Sequence, residues 1–238
     1  MYSDKFFINS TDGDQFQEVK LSSLFRMFQE IATAHADKIG VGSKKTFDLG
    51  QAWILTRMQL EMYRYPKYEE TIVINTYPGE NKSFIFPRYF EIKTKKGELL
   101  ARCSTLWAII DLTTRKVSLN PFGKLKLPEE HHDGELPLPG KVTTDEVSLL
   151  EQRKVRYSEM DMNGHLNNTK YVDYVVDAIP VEKLKENRIK SFLINFNKEI
   201  KADDVVDIKV SSNETQTIIS GDLGDVNSFS AAITFEKR

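Results

Sequence analysis

The 238-residue sequence predicts an α+β fold in which one plan is used twice. The plan is a short strand, one helix, then several strands. Three observations carry it. Each half holds one stretch with helical apolar spacing. Each such stretch is followed by runs with strand-like composition. Between the halves, residues 120–140 read "NPFGKLKLPEEHHDGELPLPG", which contains four of the eight prolines (Pro121, Pro128, Pro137, Pro139) and no period. That stretch reads as a linker. The expected units are therefore 1–119 and 141–238.

In the first half, "LSSLFRMFQEIATAHADKIG" puts Leu21, Leu24, Phe25, Phe28, Ile31, Ala32 and Ile39 on one helical stripe. Gly40 follows, where a helix C-terminus favours glycine. Strands are expected at "AWILTRMQLEMY", "ETIVINTYP", "SFIFPRYFEIKTK" and "ELLARCSTLWAIIDL". In the first of these, Ile54, Met58, Leu60 and Met62 alternate with Arg57, Gln59 and Glu61, the pattern of a half-buried strand.

The second half repeats the order. "QRKVRYSEMD" reads as a strand, and 168–179 as a helix carrying Val172, Val175, Val176 and Ile179, ended by Pro180. Strands follow at "SFLINFNKEI", "DVVDIKVSSN", "TQTIISGDL" and "SFSAAITFEKR". One helix cannot cover such a sheet alone. The two sheets are expected to continue into each other, like a dimer fused into one polypeptide.

Composition narrows the function classes. A net charge of −2 argues against a nucleic-acid binder. No apolar run approaches the roughly 18 residues of a membrane span. The N-terminus lacks a secretory pattern, and the single Cys103 suits a reducing compartment, so a cytoplasmic location is expected. Cys103 lies in an apolar strand and reads as core rather than nucleophile.

The chemistry-bearing stretch is 161–171, "DMNGHLNNTKY". Asp161, Asn163 and His165 are spaced so that an extended chain puts them on one face. A helix begins just beyond, with Asn167 or Asn168 as its cap. Free N–H groups at its start would polarise a carbonyl oxygen gaining negative charge. The set suits acyl transfer to water. Asn-Gly turns and Asn-rich caps also occur for purely structural reasons, so the turn alone leaves both readings open. A calcium loop fits Glu159, Asp161, Asn163 and Gly164 but fails at its twelfth position, Lys170. No zinc spacing joins His35, His131 and His132, and no metal or cofactor is expected. In the first half, "STDGDQFQEVKLSSLF" aligns with this turn but has no histidine.

The turn and two further segments resemble the acyl-acyl-carrier-protein (acyl-ACP) thioesterases, the family of plant fatty acyl-ACP thioesterases and their bacterial relatives. "DMNGHLNNTKYVDYVVD" is similar to its D-x-N-x-H-x-N-N-x-K-Y signature. "WILTRMQLEMYRYPKYEETIVINTY" and "LLARCSTLWAIIDLTTRKVSLNP" are similar to two others, so the likeness covers about 5–236. It implies a tandem double hot-dog fold. It also implies hydrolysis of fatty acyl-ACP to free fatty acid, ending chain elongation in fatty acid biosynthesis. The partner is then an acyl carrier protein bearing a fatty acyl-phosphopantetheine, and the pseudo-dimer is a monomer or a homodimer.

By the same resemblance the catalytic residues are Asp161, Asn163, His165 and, within "FNKEI", Glu199. Ile200 stands where plant relatives have a Cys, which favours a water- or carboxylate-based route. On composition alone, Glu199 with Asn195 and Asn197 reads as a solvent-facing polar row. Asp161 either orients the set or attacks directly. The acyl tunnel is expected in the first half, near Leu24, Phe25, Phe28, Trp53, Ile54 and Arg57, with Asn168 at the helix start touching substrate. Arg153, Lys154, Arg156, Lys183, Lys185, Arg188 and Lys190 are candidate carrier-docking cations. Two other readings stay open: an acyl-CoA thioesterase and a non-catalytic acyl-binding sensor.

Overall fold

A computed structural model describes residues 1–119, 121, 127–213 and 215–238. It divides into two compact units, Met1–Pro139 and Gly140–Arg238. Asn120 and 122–126 of the expected linker lie outside the described residues. Residues 127–139 belong to the first unit, where Ser104 donates to the Pro137 carbonyl at 2.8 Å and Arg57 to that of Pro139 at 3.3 Å.

The first unit contains β1 (Tyr2–Phe7), α1 (Leu21–Lys38), α2 (Ser43–Asp48), β2 (Gln51–Met62), β3 (Thr71–Pro78), β4 (Phe86–Thr94) and β5 (Leu99–Asp111). Its strands are antiparallel neighbours in the order β1-β3-β4-β5-β2. Helix α1 forms where the stripe predicts it. Leu21, Leu24, Phe25, Phe28, Ile31 and Ala32 are all buried, and Ile39 is half-buried just past the helix end. Each of the large side chains contributes about 1.5–3 kcal/mol by leaving water. Phe28 meets Phe90 of β4 with ring centroids 4.7 Å apart, which fixes α1 on the sheet. Gly40 takes φ +76°, the left-handed conformation that ends the helix.

The alternation read in β2 holds only for Met58, Leu60 and Met62, which are buried. A bulge at Thr56 separates Leu55 from Arg57 in the register with β5. One extra residue reverses the parity. Leu55, not Ile54, therefore faces the core, and Ile54 is only half-buried.

The second unit contains β6 (Ser148–Lys154), a 3-10 turn at Tyr157–Glu159, α3 (Asn168–Asp177), α4 (Val181–Glu186), β7 (Asn187–Phe196), β8 (Val205–Ser212), β9 (Thr217–Leu223) and β10 (Val226–Lys237). Its order is β7-β10-β9-β8-β6, which read from β6 is the first unit's order with each strand replaced by its counterpart. Tyr171 of α3 is buried edge-on against Phe196 and Phe229, both at 5.4 Å. The short helices α2 and α4 were absent from the sequence expectation. Both have six residues, too few for periodicity to register.

Candidate active site

The turn ahead of α3 is held by one carboxylate. Asp161 Oδ1 accepts the Asn163 N–H at 2.8 Å and the His165 N–H at 3.2 Å. The Asp161 N–H donates to the His165 carbonyl at 2.8 Å. Asn163 Nδ2 reaches Asp161 Oδ2 at 3.3 Å. Gly164 sits between them at φ +76°. The loop closes at an isolated bridge between Met160 and Leu166. Asp161 is thus engaged by the backbone it organises.

Helix α3 then starts with a side-chain cap. Asn167 Oδ1 accepts the Thr169 N–H at 3.0 Å, and the Asn167 carbonyl accepts the Lys170 N–H at 2.8 Å. Of the two candidate caps, Asn167 is the one used. Asn168 is the first helical residue, and its N–H is the first-turn donor left without a protein acceptor among the described residues.

Glu199 is brought to this turn from the other side. The strand expected over 191–200 ends at Phe196, because the Asn197 and Lys198 N–H groups both turn onto the Ser228 carbonyl, at 2.9 and 3.0 Å. Glu199 therefore lies in a loop, and the polar row expected on one strand face does not form. Asn195 is 4% exposed and bonded to the Val142 N–H and the Gly140 carbonyl. The Ile200 carbonyl accepts the Leu166 N–H at 2.8 Å, which ties the loop to the turn. His165 Nε2 and Glu199 Oε2 then meet at 3.1 Å. The imidazole is 21% exposed and the carboxylate 41%, so the pair is reachable by solvent and by a substrate.

Tyr171 supports this junction and was not anticipated. Its hydroxyl lies against the Ile200 backbone N–H, and burial pushes its pKa up. Glu159 braces the far side: Oε2 accepts from the Tyr174 hydroxyl at 3.0 Å and from the Arg156 N–H at 2.7 Å. Glu199, the Asp161 turn and the start of α3 are thus held within the second unit.

The expected tunnel residues separate into three groups. Leu24, Phe25 and Phe28 are fully buried core. Trp53 lines a cavity of about 160 Å³ in the first unit, with Ala32, Ala36, Val41, Phe86, Arg88 and Trp107. Ile54 and Arg57 are not among its lining residues. The helix contributes to that cavity through Ala32, Thr33 and Ala36, further along than the aromatic positions singled out in the sequence. The small side chains leave the space that phenylalanines would fill. Cys103 is buried on β5, where burial pushes its thiol well up.

Family models place these observations. The acyl-ACP thioesterase N-terminal domain matches residues 1–120, and the acyl-ACP thioesterase C-terminal domain matches 142–237. The chain belongs to the acyl-ACP thioesterase family.

Among relatives of this thioesterase-family chain is an oleoyl-acyl carrier protein thioesterase of Arabidopsis thaliana. It is 25% identical over 92% of this chain and 65% of its own length. A dodecanoyl-[acyl-carrier-protein] hydrolase of Cinnamomum camphora is 25% identical over 84% of this chain and 56% of its own. The chain spans less than two thirds of either relative. An acyl-ACP thioesterase from Bacteroides thetaiotaomicron superimposes with a TM-score of 0.87 at 22% identity, covering 99% of this chain and 97% of that one. The 12:0-ACP thioesterase from Umbellularia californica gives 0.85 at 20%, covering 100% and 97%. At this identity the likeness shows the fold, the tandem hot-dog.

Proposed function

We propose that this chain hydrolyses fatty acyl thioesters carried on an acyl carrier protein, releasing fatty acid and the carrier's thiol. The observation that carries the reading is the His165–Glu199 pair at the start of a capped helix, in a chain of this family. His165 takes a proton from water as it attacks the thioester carbon and returns it to the departing thiolate. Glu199 holds the imidazole and stabilises its charged form. The Asn168 N–H and the Asn163 carboxamide receive the carbonyl oxygen as it becomes an oxyanion.

Asp161 is assigned the orienting role, not that of nucleophile. Its Oδ1 already accepts two backbone N–H groups and fixes the path from Asn163 to His165. The cavity of the first unit takes the acyl chain, so chain binding and chemistry divide between the units. Carrier docking is assigned to the face bearing the turn. There Arg156 is exposed, and Tyr157 and Met162 are 91% and 97% exposed. Among the other candidate cations, Arg153 pairs with Asp177, Lys154 with Asp203, Lys185 with Glu182 and Lys190 with Glu236. Lys183 lies over the Phe235 ring. A cytoplasmic setting fits the buried, reduced Cys103.

The deciding experiment offers a series of acyl chain lengths, each on carrier protein and on coenzyme A, and follows thiol release. Release is expected from the carrier-borne series, with higher kcat/KM than from coenzyme A. Silence across both series overturns the assignment, and equal or faster turnover of coenzyme A thioesters transfers it to that substrate class.

A further inference from the structure

The first unit's cavity is apolar on most of its wall, through Ala32, Ala36, Val41, Trp53, Phe86 and Trp107. Its volume of about 160 Å³ is close to that of an engineered cavity known to take a benzene-sized group, so it suits one segment of a chain. Four polar side chains break the pattern: Thr33 and Ser43, both exposed, and the half-buried Arg88 of β4 and Asn81 of the loop before it.

Arg88 has no carboxylate partner among the described residues. Its Nη1 donates to His35 Nδ1 at 3.0 Å and to Thr76 Oγ1 at 3.2 Å, and both acceptors are neutral. Burial lowers the His35 pKa to about 4, with help from the Arg88 charge, so the ring accepts as a neutral imidazole near neutral pH. The Arg88 pKa is lowered to about 10 by burial, which still leaves it a cation. A guanidinium carries five N–H donors. Those on Nε and Nη2 have no protein acceptor among the described residues. Asn81 Oδ1 is buried and has no donor among the described residues. The cavity wall therefore offers an unused donor set and an unused acceptor, in a space otherwise suited to hydrocarbon.

A structural strut alone does not account for this. Bridging β4 to α1 and β3 uses one nitrogen of the guanidinium and leaves the others without a protein acceptor among the described residues, on a side chain that lines the cavity. Solvent can meet that need when no chain is bound. A saturated chain that expels the water gives the guanidinium nothing in return, which costs affinity. A hydroxyl on the chain replaces the water. It accepts from Arg88 and pairs with the Asn81 amide.

We infer that Arg88, with Asn81, makes this cavity selective for acyl chains bearing an oxygen at its depth, hydroxylated chains above all, over saturated chains of equal length. The inference rests on the acyl-thioesterase reading for the identity of the ligand. Its test does not depend on hydrolysis. Both tryptophans of the chain, Trp53 and Trp107, line the cavity, so their emission reports its occupancy.

The probes are non-hydrolysable N-ethylamides of one saturated fatty acid and of the same acid with a hydroxyl walked along the chain. One hydroxyl position is expected to bind the wild-type protein about tenfold or more tightly than the saturated probe, the scale of a hydrogen bond to a charged group. Arg88→Met should erase that preference and strengthen saturated binding. Asn81→Ala should weaken the hydroxylated probe while leaving a keto analogue, which only accepts, unchanged. Saturated binding as tight as every hydroxylated member in the wild type overturns the inference, and so does an unaltered preference in Arg88→Met. The wild-type series decides the matter even where Arg88→Met fails to fold. Amides that bind with this preference alongside an inert thioester panel would overturn the hydrolysis and leave the cavity assignment standing.

Discussion

Both units enter their long helix through the same turn, and the two turns can be compared bond by bond. In the first, Asp14 Oδ1 accepts the Phe16 N–H at 2.8 Å and the Glu18 N–H at 3.0 Å, while the Asp14 N–H donates to the Glu18 carbonyl at 2.7 Å. In the second, Asp161 makes the same three bonds to Asn163 and His165. Gln17 takes a left-handed φ of 61° where Gly164 takes 76°. Gly13 bridges Val19 as Met160 bridges Leu166. The Val19 N–H donates to the Pro66 carbonyl as the Leu166 N–H donates to that of Ile200. The N-caps are Lys20 and Asn167, in step.

The difference lies in what this shared frame carries. Phe16 stands where Asn163 does, Glu18 where His165 does, Lys20 where Asn167 does, and Tyr65 where Glu199 does. Every position given to the chemistry differs between the copies. The aspartate is the same in both. A residue kept in the copy without an imidazole is there for the turn, and this is the strongest support for treating Asp161 as the frame of the site.

The sharpest way to break the comparison is to write the first unit's residue into the second. His165→Glu keeps the backbone bonds of the turn and removes the imidazole. kcat is expected to fall about 10²- to 10⁴-fold, the usual worth of a positioned acid–base group. Thermal unfolding checks that the fold survives. A variant that is folded and still turns over at the wild-type rate removes His165 from the mechanism.

A second asymmetry is pH-dependent. Only α1 carries a buried histidine: His35 is stacked on Tyr2 at 5.5 Å, 3.0 Å from Arg88, with Lys38, Glu130 and the N-terminal ammonium also acting on it. Its folded pKa of about 4 lies below the ordinary histidine value of 6.5. The unfolded chain therefore takes up the proton first. The stability concerned is present in full above pH 6.5 and is lost as pH falls toward 4. The upper bound is about 3 kcal/mol, from the width of that window. Both tryptophans lie in the first unit, so denaturant titrations followed by their emission report that unit. Midpoints should fall steeply across this range in the wild type and flatten in His35→Gln. An equal slope in the variant would show that other groups set the acid response.

Much of this was legible in the chain. The stripe from Leu21 to Ala32 marked α1 because six apolar positions share one face. "DMNGHLNN" marked both the turn and the capped helix, since Asn and Asp serve both purposes. What was hidden depended on contacts distant in sequence. The bulge at Thr56 moved Leu55 inward and Ile54 outward, and no local pattern announces one extra residue. Asn195 looked solvent-facing by alternation, yet it is buried because Gly140 and Val142 return to satisfy its amide. Glu199 was found by resemblance, not by pattern, because its position follows from the chain leaving β7 after Phe196 and turning onto the Ser228 carbonyl of β10. Arg88 gave no signal at all. An arginine between Pro87 and Tyr89 in a strand reads as an outward residue, and only the packed structure places it in the cavity wall.

The twin aspartates give the finest test of the comparison. Asp14→Ala and Asp161→Ala each remove the carboxylate oxygen that accepts two backbone N–H groups, and each is expected to cost about 2 kcal/mol of stability. Only Asp161→Ala should also lower kcat, by letting His165 drift from Glu199. The conservative variants separate frame from nucleophile. An asparagine oxygen accepts the same two N–H groups, so Asp161→Asn should keep kcat within about tenfold of the wild type while Asp14→Asn leaves it unchanged. A carboxamide cannot attack a thioester as a carboxylate does, and loss of a nucleophile typically costs several orders of magnitude. If Asp161→Asn is as inactive as Asp161→Ala while its stability is restored, the carboxylate has a chemical role that its twin in the first unit lacks, and the turn's duplication then explains only its shape.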